Sequence, residues 1–507
     1  MRILFGVVAL FLGSGFSAWS QSDDAPLLQR QWIEARSAHF NIYSCGAAQD
    51  VNRLAARLEQ FCEAYTLLAG AQAVASPPIT VVAFPDEESM KPFLPLYQGK
   101  PKNLAGFFER GSDENLIVLA LPGANSAFTA MEVIFHEYAH FLFRQNGKIW
   151  PLWLNEGMAE VYSTFESTGY IVRIGGPIEH YLRLLARQPL MPLNELFAVT
   201  RDSPQYNERE HQGIFYAESW LLTHFLMAGG TVAYQSRFGE YTHLLRAGEL
   251  PEQAFTNALR TPLPVMEAQL RGYLERGSFA PIQWALPMNL SSGKIVATRV
   301  MTPVEIRFHL GDELLRIGSV DAAAAYFEQA QKLAPASPLP YEGLGLLAVE
   351  RDQHNEALRD MKAALQRGST SFLAHYIYAR EKLRLTADYK ERYAPLEKPA
   401  AAEIRGQLEK SITLMPNFGP AHQLLGFFEV VQGENLKLAE QHLQIAIQLE
   451  PENQSYLLSL AQAQLRNRNP ATARSTLEPL LLPHADAELR KHAEDLLREI
   501  GRKYPAR

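Results

Sequence analysis

Hydrophobic positions change period several times along the first third of the chain and then settle into a helical rhythm. Residues 39–45 (HFNIYSC) alternate and predict a strand, and residues 51–68 space their apolar side chains three and four apart, as a helix does. Ile79–Phe84 (ITVVAF) is a β-branched apolar run, hence a strand, broken by Pro85-Asp86. Residues 105–110 and 115–121 flank Gly111-Ser112-Asp113-Glu114 and predict a hairpin. Residues 131–143 contain no breaker and are apolar all round, the pattern of a buried helix. After Pro151 the chain reads as mainly helical. The fold class expected is an α+β domain followed by an all-α array.

Residues 287–303 (PMNLSSGKIVATRVMTP) have weak periodicity and many turn residues, and read as a linker. Beyond them a 34-residue period sets in. The first unit places Leu310-Gly311, Ala323, Phe327, Ala330 and Pro335 at alternating large and small positions, and the second repeats this with Tyr341, Leu344-Gly345, Ala357 and Ala364. A polar insertion at 387–402 interrupts the third, which resumes with Leu408 and Pro416. The fourth shows Leu425-Gly426, Ala439, Ala446 and Pro451, and a degenerate fifth shows Leu457, Leu460-Ala461 and Ala473. Residues 488–504 read as an amphipathic capping helix. This period and this placement of small residues are those of a tetratricopeptide-repeat solenoid, whose units bury their apolar faces only by stacking.

The remaining features narrow the setting. Forty-eight basic against 55 acidic residues give a net charge of −7, which argues against nucleic acid as the main partner. Arg2, the apolar run 3–12 and Ala18-Trp19-Ser20 form the layout of a secretory signal cleaved before Gln21. No later run approaches the length of a membrane span. Export, periplasmic or secreted, is therefore expected, and Cys45 and Cys62 would be either a disulfide or two buried thiols. The expected domains are the signal at 1–20, an α+β domain at 21–286, the linker at 287–303 and the solenoid at 304–507.

Chemistry concentrates at His136-Glu137-Tyr138-Ala139-His140. Two histidines four apart share one helix face and can converge on a single ion at bonds near ~2 Å. Glu137 lies about 100° round the helix, beside that ion, where a carboxylate can take a proton from water. Chance supplies such an H-E-x-x-H about 0.02 times in a chain of this composition. A catalytic site also needs a third protein ligand and an open position. Glu156 follows in Trp153-Leu154-Asn155-Glu156-Gly157-Met158-Ala159-Glu160.

HEYAH followed by WLNEGMAE resembles the gluzincin metallopeptidases. The resemblance implies zinc held by His136, His140 and Glu156, with Glu137 as general base. It implies Glu160 as the acid orienting His136, and as the runner-up ligand, with Asn155 serving His140. Gly213–Ser219 (GIFYAES) is similar to the aminopeptidase segment whose tyrosine meets the tetrahedral intermediate, which gives that role to Tyr216, with His211 as the alternative donor. Residues 30–285 followed by the repeats are similar to a bacterial family joining a peptidase-MA-like domain to tetratricopeptide repeats. The chain departs from the families it resembles in three ways. Only fifteen residues separate His140 from Glu156. The element that grips a free amino terminus is absent from 115–121. Phe143 and Asn146 replace the glycine and third histidine of metzincins.

The leading expectation is a zinc-dependent endopeptidase outside the cytoplasm, with the strand at 115–121 pairing with an extended substrate and the repeats recruiting a protein. The alternative is a zinc-binding scaffold without significant turnover, acting through its repeats. A zinc hydrolase of a non-peptide bond is a third expectation.

Overall fold

The computed structural model describes residues 25–69, 79–97, 100–101, 104–111, 113–121, 129–145, 150–206, 213–229, 232–286, 289–290, 295, 297–388, 392–451, 453–482 and 486–504. The expected signal at 1–20 and His211 lie outside them.

A six-stranded sheet organises the first part of the chain. Its strands are β1 (Ile33–Arg36), β2 (Phe40–Ser44), β3 (Ile79–Phe84), β4 (Gly106–Arg110), β5 (Asn115–Ala120) and β6 (Ala297–Val300), in the spatial order β6-β1-β2-β3-β5-β4. The β2–β3 and β3–β5 pairs are parallel and the others antiparallel. Burial on both faces explains why β3 and β5 read as unbroken apolar runs. Ile79, Val81, Ala83, Ile117 and Leu119 face one core, shared with helices α1 (Ala48–Ala69), α2 (Thr129–Gln145) and α3 (Leu152–Ser163). Val82, Phe84, Leu116, Val118 and Ala120 face a second core, built with Ile306, Leu310, Leu314, Tyr326 and Phe327 of the first repeat.

Three expectations change here. Within the expected linker 287–303, of which 287–288, 291–294 and 296 lie outside the described residues, Ala297–Val300 is the edge strand β6, and the Met301 N–H donates to the Trp32 carbonyl at 2.9 Å. All four β6 side chains are exposed, so no alternation of polarity announced it. The substrate-pairing role given to 115–121 fails, because β5 is paired on both sides; β4 is the strand at the end of the sheet. Cys45 and Cys62 are free thiols, Cys62 in the first core and Cys45 packed against the second, on opposite faces of the sheet. A small three-stranded sheet of Glu166–Ser167, Ile171–Ile174 and Ile282–Ala285 also interrupts the expected helical stretch.

The array follows as helix pairs: Pro303–Arg316 with Val320–Leu333, Leu339–Glu350 with His354–Gln366, Phe372–Arg384 with Lys398–Leu414, Gly419–Gln432 with Leu436–Leu449, and Ser455–Arg466 with Pro470–Leu477. Ala487–Lys503 closes it. Small residues sit where helices touch: a side chain at Gly311 or Gly343 would collide with the Phe327 ring at 2.7 and 2.2 Å. The third-unit insertion is shorter than expected, since its last residues, from Lys398, are already helical. Thr302 opens the first repeat with a reciprocal capping box to Glu305.

The joint between sheet and array is polar as well as apolar. Arg316 reaches Asp113 at 2.7 Å and Asp312 at 2.9 Å, and His309 stacks on Tyr43 with ring centres 3.9 Å apart. Arg299 of β6 pairs with Glu34 and with Glu305.

Candidate metal centre

Two neighbouring helices carry the centre. Helix α2 runs without breakers through the first core and brings His136 and His140 onto one face. Pro151 precedes α3, whose first amides bond back to the Pro151 carbonyl at 3.0 Å, fixing where the helix starts. Glu156 and Glu160 then fall one turn apart on its buried side. Phe135 of α2 packs edge-on against Phe165 just beyond α3, with ring centres 5.4 Å apart. On its other side α3 lies against α4 (Ile214–His224) with Gly157 at the crossing: a Cβ there would stand 2.2 Å from Thr223 Oγ1 and 2.3 Å from the Ser219 carbonyl.

The donor atoms meet closely. His136 Nε2 and His140 Nε2 are 3.1 Å apart, His140 Nε2 and Glu156 Oε2 3.2 Å, and His136 Nε2 and Glu156 Oε2 3.4 Å. Bonds of about 2.0–2.1 Å to a tetrahedral ion put ligand atoms about 3.3–3.4 Å apart, so this triangle has the size of one face of a zinc coordination shell. Among the described residues these three form the group able to hold a metal. The donor set, two imidazoles and one carboxylate, also suits zinc.

Around the triangle lies a supporting layer. Glu160 Oε1 stands 3.3 Å from His136 Nδ1, and the Tyr181 hydroxyl donates to the same oxygen at 2.6 Å. A proton held on Nδ1 by Glu160 leaves Nε2 as the bare lone pair a metal requires. Burial works against charge on His136, yet the neighbouring Glu160 and Glu156 outweigh it and hold its pKa well above the ordinary imidazole value. Burial likewise opposes charge on Glu156, but its bonds to His136 and His140 win and hold its carboxyl far below the usual range. The metal-free cluster is thus ionic, and protons and a cation compete for the same atoms.

Two expected roles are not matched. His140 Nδ1 is buried without a hydrogen-bond partner among the described residues, so Asn155 does not serve it. The Tyr216 hydroxyl donates to the Tyr206 carbonyl at 3.0 Å, which engages the proton that an oxyanion would need. Tyr206 stands nearer the triangle: its hydroxyl donates to Glu156 Oε1 at 3.4 Å, and its ring stacks on Tyr216. Burial and then the Glu156 charge push the Tyr206 phenol up to about 12, so it stays a donor at neutral pH. Glu137 is half-buried, and its charge acts on His136, Tyr206 and Tyr216, which puts it on the side of the centre where those groups gather. Tyr206 and Tyr181 were missed from sequence because neither belongs to a periodic segment that points at the histidines.

Comparison with known proteins bears on the array. The tetratricopeptide-repeat family profile matches residues 299–338. Among solved structures, YrrB, described as a tetratricopeptide-repeat protein with an unusual peptide-binding site, is similar at 17% identity, covering 37% of this chain and 90% of its own, with a TM-score of 0.31. A thermophilic tetratricopeptide-repeat protein of Thermus thermophilus is similar at 23% identity, covering 38% of this chain and 99% of its own, with a TM-score of 0.29. PilF of Pseudomonas aeruginosa is similar at 17% identity, covering 40% of this chain and 93% of its own, with a TM-score of 0.29. Among curated proteins none matches the sequence. The chain therefore carries tetratricopeptide repeats, units that stack to present an extended surface to protein partners. No helix among the described residues is long and apolar enough to cross a membrane.

Proposed function

We propose that the chain is a zinc-dependent hydrolase of peptide bonds, with a gluzincin-like centre on α2 and α3 and an array that recruits a protein. The observation that carries this reading is the 3.1–3.4 Å triangle of His136, His140 and Glu156, backed by Glu160 on the far nitrogen of His136. A bound zinc ion would supply Lewis-acid polarisation and a water acidic enough to ionise near neutrality. Glu137, whose charge acts on His136 and Tyr206, would take a proton from that water and pass it to the leaving nitrogen. Tyr206 offers a hydroxyl beside Glu156, and Tyr216 does so on release from the Tyr206 carbonyl. Strand β4 ends the sheet next to α2, with Phe108 against Phe141 at 5.8 Å between ring centres, and its outer edge suits an extended peptide. The leader-like residues 1–20 support export, to the periplasm or beyond.

The repeat match favours a second reading, in which the array binds a protein and the metal centre is structural. Glu137→Gln separates the two. Under the hydrolase reading the purified chain binds one zinc, and the variant keeps that zinc and its melting temperature while peptide cleavage falls about 100-fold or more. Undiminished cleavage by the variant, or a wild-type chain that takes up no zinc, removes the hydrolase reading. Loss of cleavage with an unchanged cellular effect favours the scaffold.

A further inference from the structure

Beside α2, two cavities of about 310 and 170 Å³ adjoin one another, and Arg57, Phe165, Glu166 and Arg173 line both. The larger is of the size that takes a small ligand or one side chain of a longer one. Arg57, on α1, lies with its guanidinium carbon 5.5 Å from the centre of the Phe135 ring, the residue before His136. That cation–π contact steadies the group, and with no close ion pair or hydrogen bond to any described residue its five donors are left for a ligand. Arg173 donates through Nε to Gln283 Oε1 at 2.9 Å, a bond that steadies the side chain and leaves its terminal nitrogens without a partner among the described residues. Ser167 and Thr168 add hydroxyls to the same wall. The Glu166 charge acts on Arg57 without a close ion pair between them, and a guanidinium fork matches a carboxylate bidentately. In the larger cavity two arginines face Glu166, which leaves about one positive charge and suits a carboxylate better than a phosphate dianion.

We propose that the larger cavity is a carboxylate-binding site, gripped by Arg57 and Arg173 with Ser167 and Thr168 completing the donor set. The site stands apart from the metal triangle and does not depend on the hydrolase reading. The carboxylate could belong to a free organic acid or to an acidic side chain of a polypeptide, and the two sources are separable. Titration calorimetry on the full chain, stripped of metal by a chelator, would use glutarate in one arm and acetylated, amidated Ala-Glu-Ala in the other, with inorganic phosphate as comparator. Saturable binding of glutarate alone identifies a small acid, and binding of the peptide identifies a side chain. In either case Arg57→Gln and Arg173→Gln each weaken binding about tenfold or more, and Arg57→Lys, which keeps the charge and loses the fork, weakens it too. Arg173 lies on the middle strand of the small three-stranded sheet with its side chain toward solvent, so its variant keeps the test valid if Arg57→Gln lowers the melting temperature. Absence of binding by both carboxylates, binding unchanged in both glutamine variants, or phosphate binding as tightly as either carboxylate overturns the proposal.

Discussion

Glu218, on α4, is fully buried, with one oxygen accepting from the Met191 amide at 2.7 Å and the other without a partner. Burial, aided by the Glu267 charge, pushes its carboxyl up to about 8 from an ordinary 4.5, against the Met191 bond and Arg271. Between these values the folded chain keeps a proton that the unfolded chain has released. The unfolded state then binds fewer protons, so stability falls as pH rises through this window, by an amount on the order of a few kcal/mol. Glu218→Gln keeps an acceptor for Met191 and removes that slope. Urea midpoints at pH 5 and pH 8 would differ less in the variant than in the parent, and equal differences would refute the account. At this scale the sequence told much about the centre. His136 and His140 are four apart, as are Glu156 and Glu160, so each pair shares a helix face whatever the fold around it. Tyr206 and Tyr181 were invisible because their positions follow from how distant segments pack, which no local period encodes.

Between elements, the position of Glu156 relative to the histidines is set by how α3 lies between α2 and α4. Gly157 sits at the α3–α4 crossing, where backbone and hydroxyl atoms occupy the space a side chain would need. Gly157→Ala must push α3 away from α4, a strain of about 1–3 kcal/mol, and the shift passes directly to Glu156. The variant should melt several degrees lower and bind zinc at least tenfold more weakly; unchanged zinc affinity would show that α3 is not held by this contact. The sequence shows a glycine next to Glu156, but only the packing of Ser219 and Thr223 onto it shows why it is there. The hairpin, β3 and the helix carrying His136 and His140 were legible because each has an unmixed period. Strand β6 was not: its four exposed side chains carry no polarity signal, and it joins the sheet through backbone pairing with β1 alone.

For the molecule as a whole, the sequence suggested two bodies on a linker, and the structure shows one continuous second core. Phe84, Val118 and Leu116 of the sheet pack with Leu310, Leu314, Tyr326 and Phe327 of the first repeat, and Arg316 closes the rim on Asp113. The periodicity of the repeats was plain, but the partner of their first face was not, since that contact joins residues some two hundred positions apart. A chain ending at residue 286 would expose the apolar underside of β3 and β5. It should be insoluble or molten, with exposed dye-binding surface, whereas a chain ending at residue 370, which keeps the first two units, should retain a cooperative unfolding transition. A well-folded 1–286 fragment would contradict the shared core.

An isolated stack of repeats needs a polar terminal unit at each end to stay soluble. Here the sheet takes that place at one end and Ala487–Lys503 at the other, so the stack can lengthen or vary only away from the sheet. It also follows that a protein bending the stack would strain the slab of strands itself, whose opposite side bears the helix holding both imidazoles.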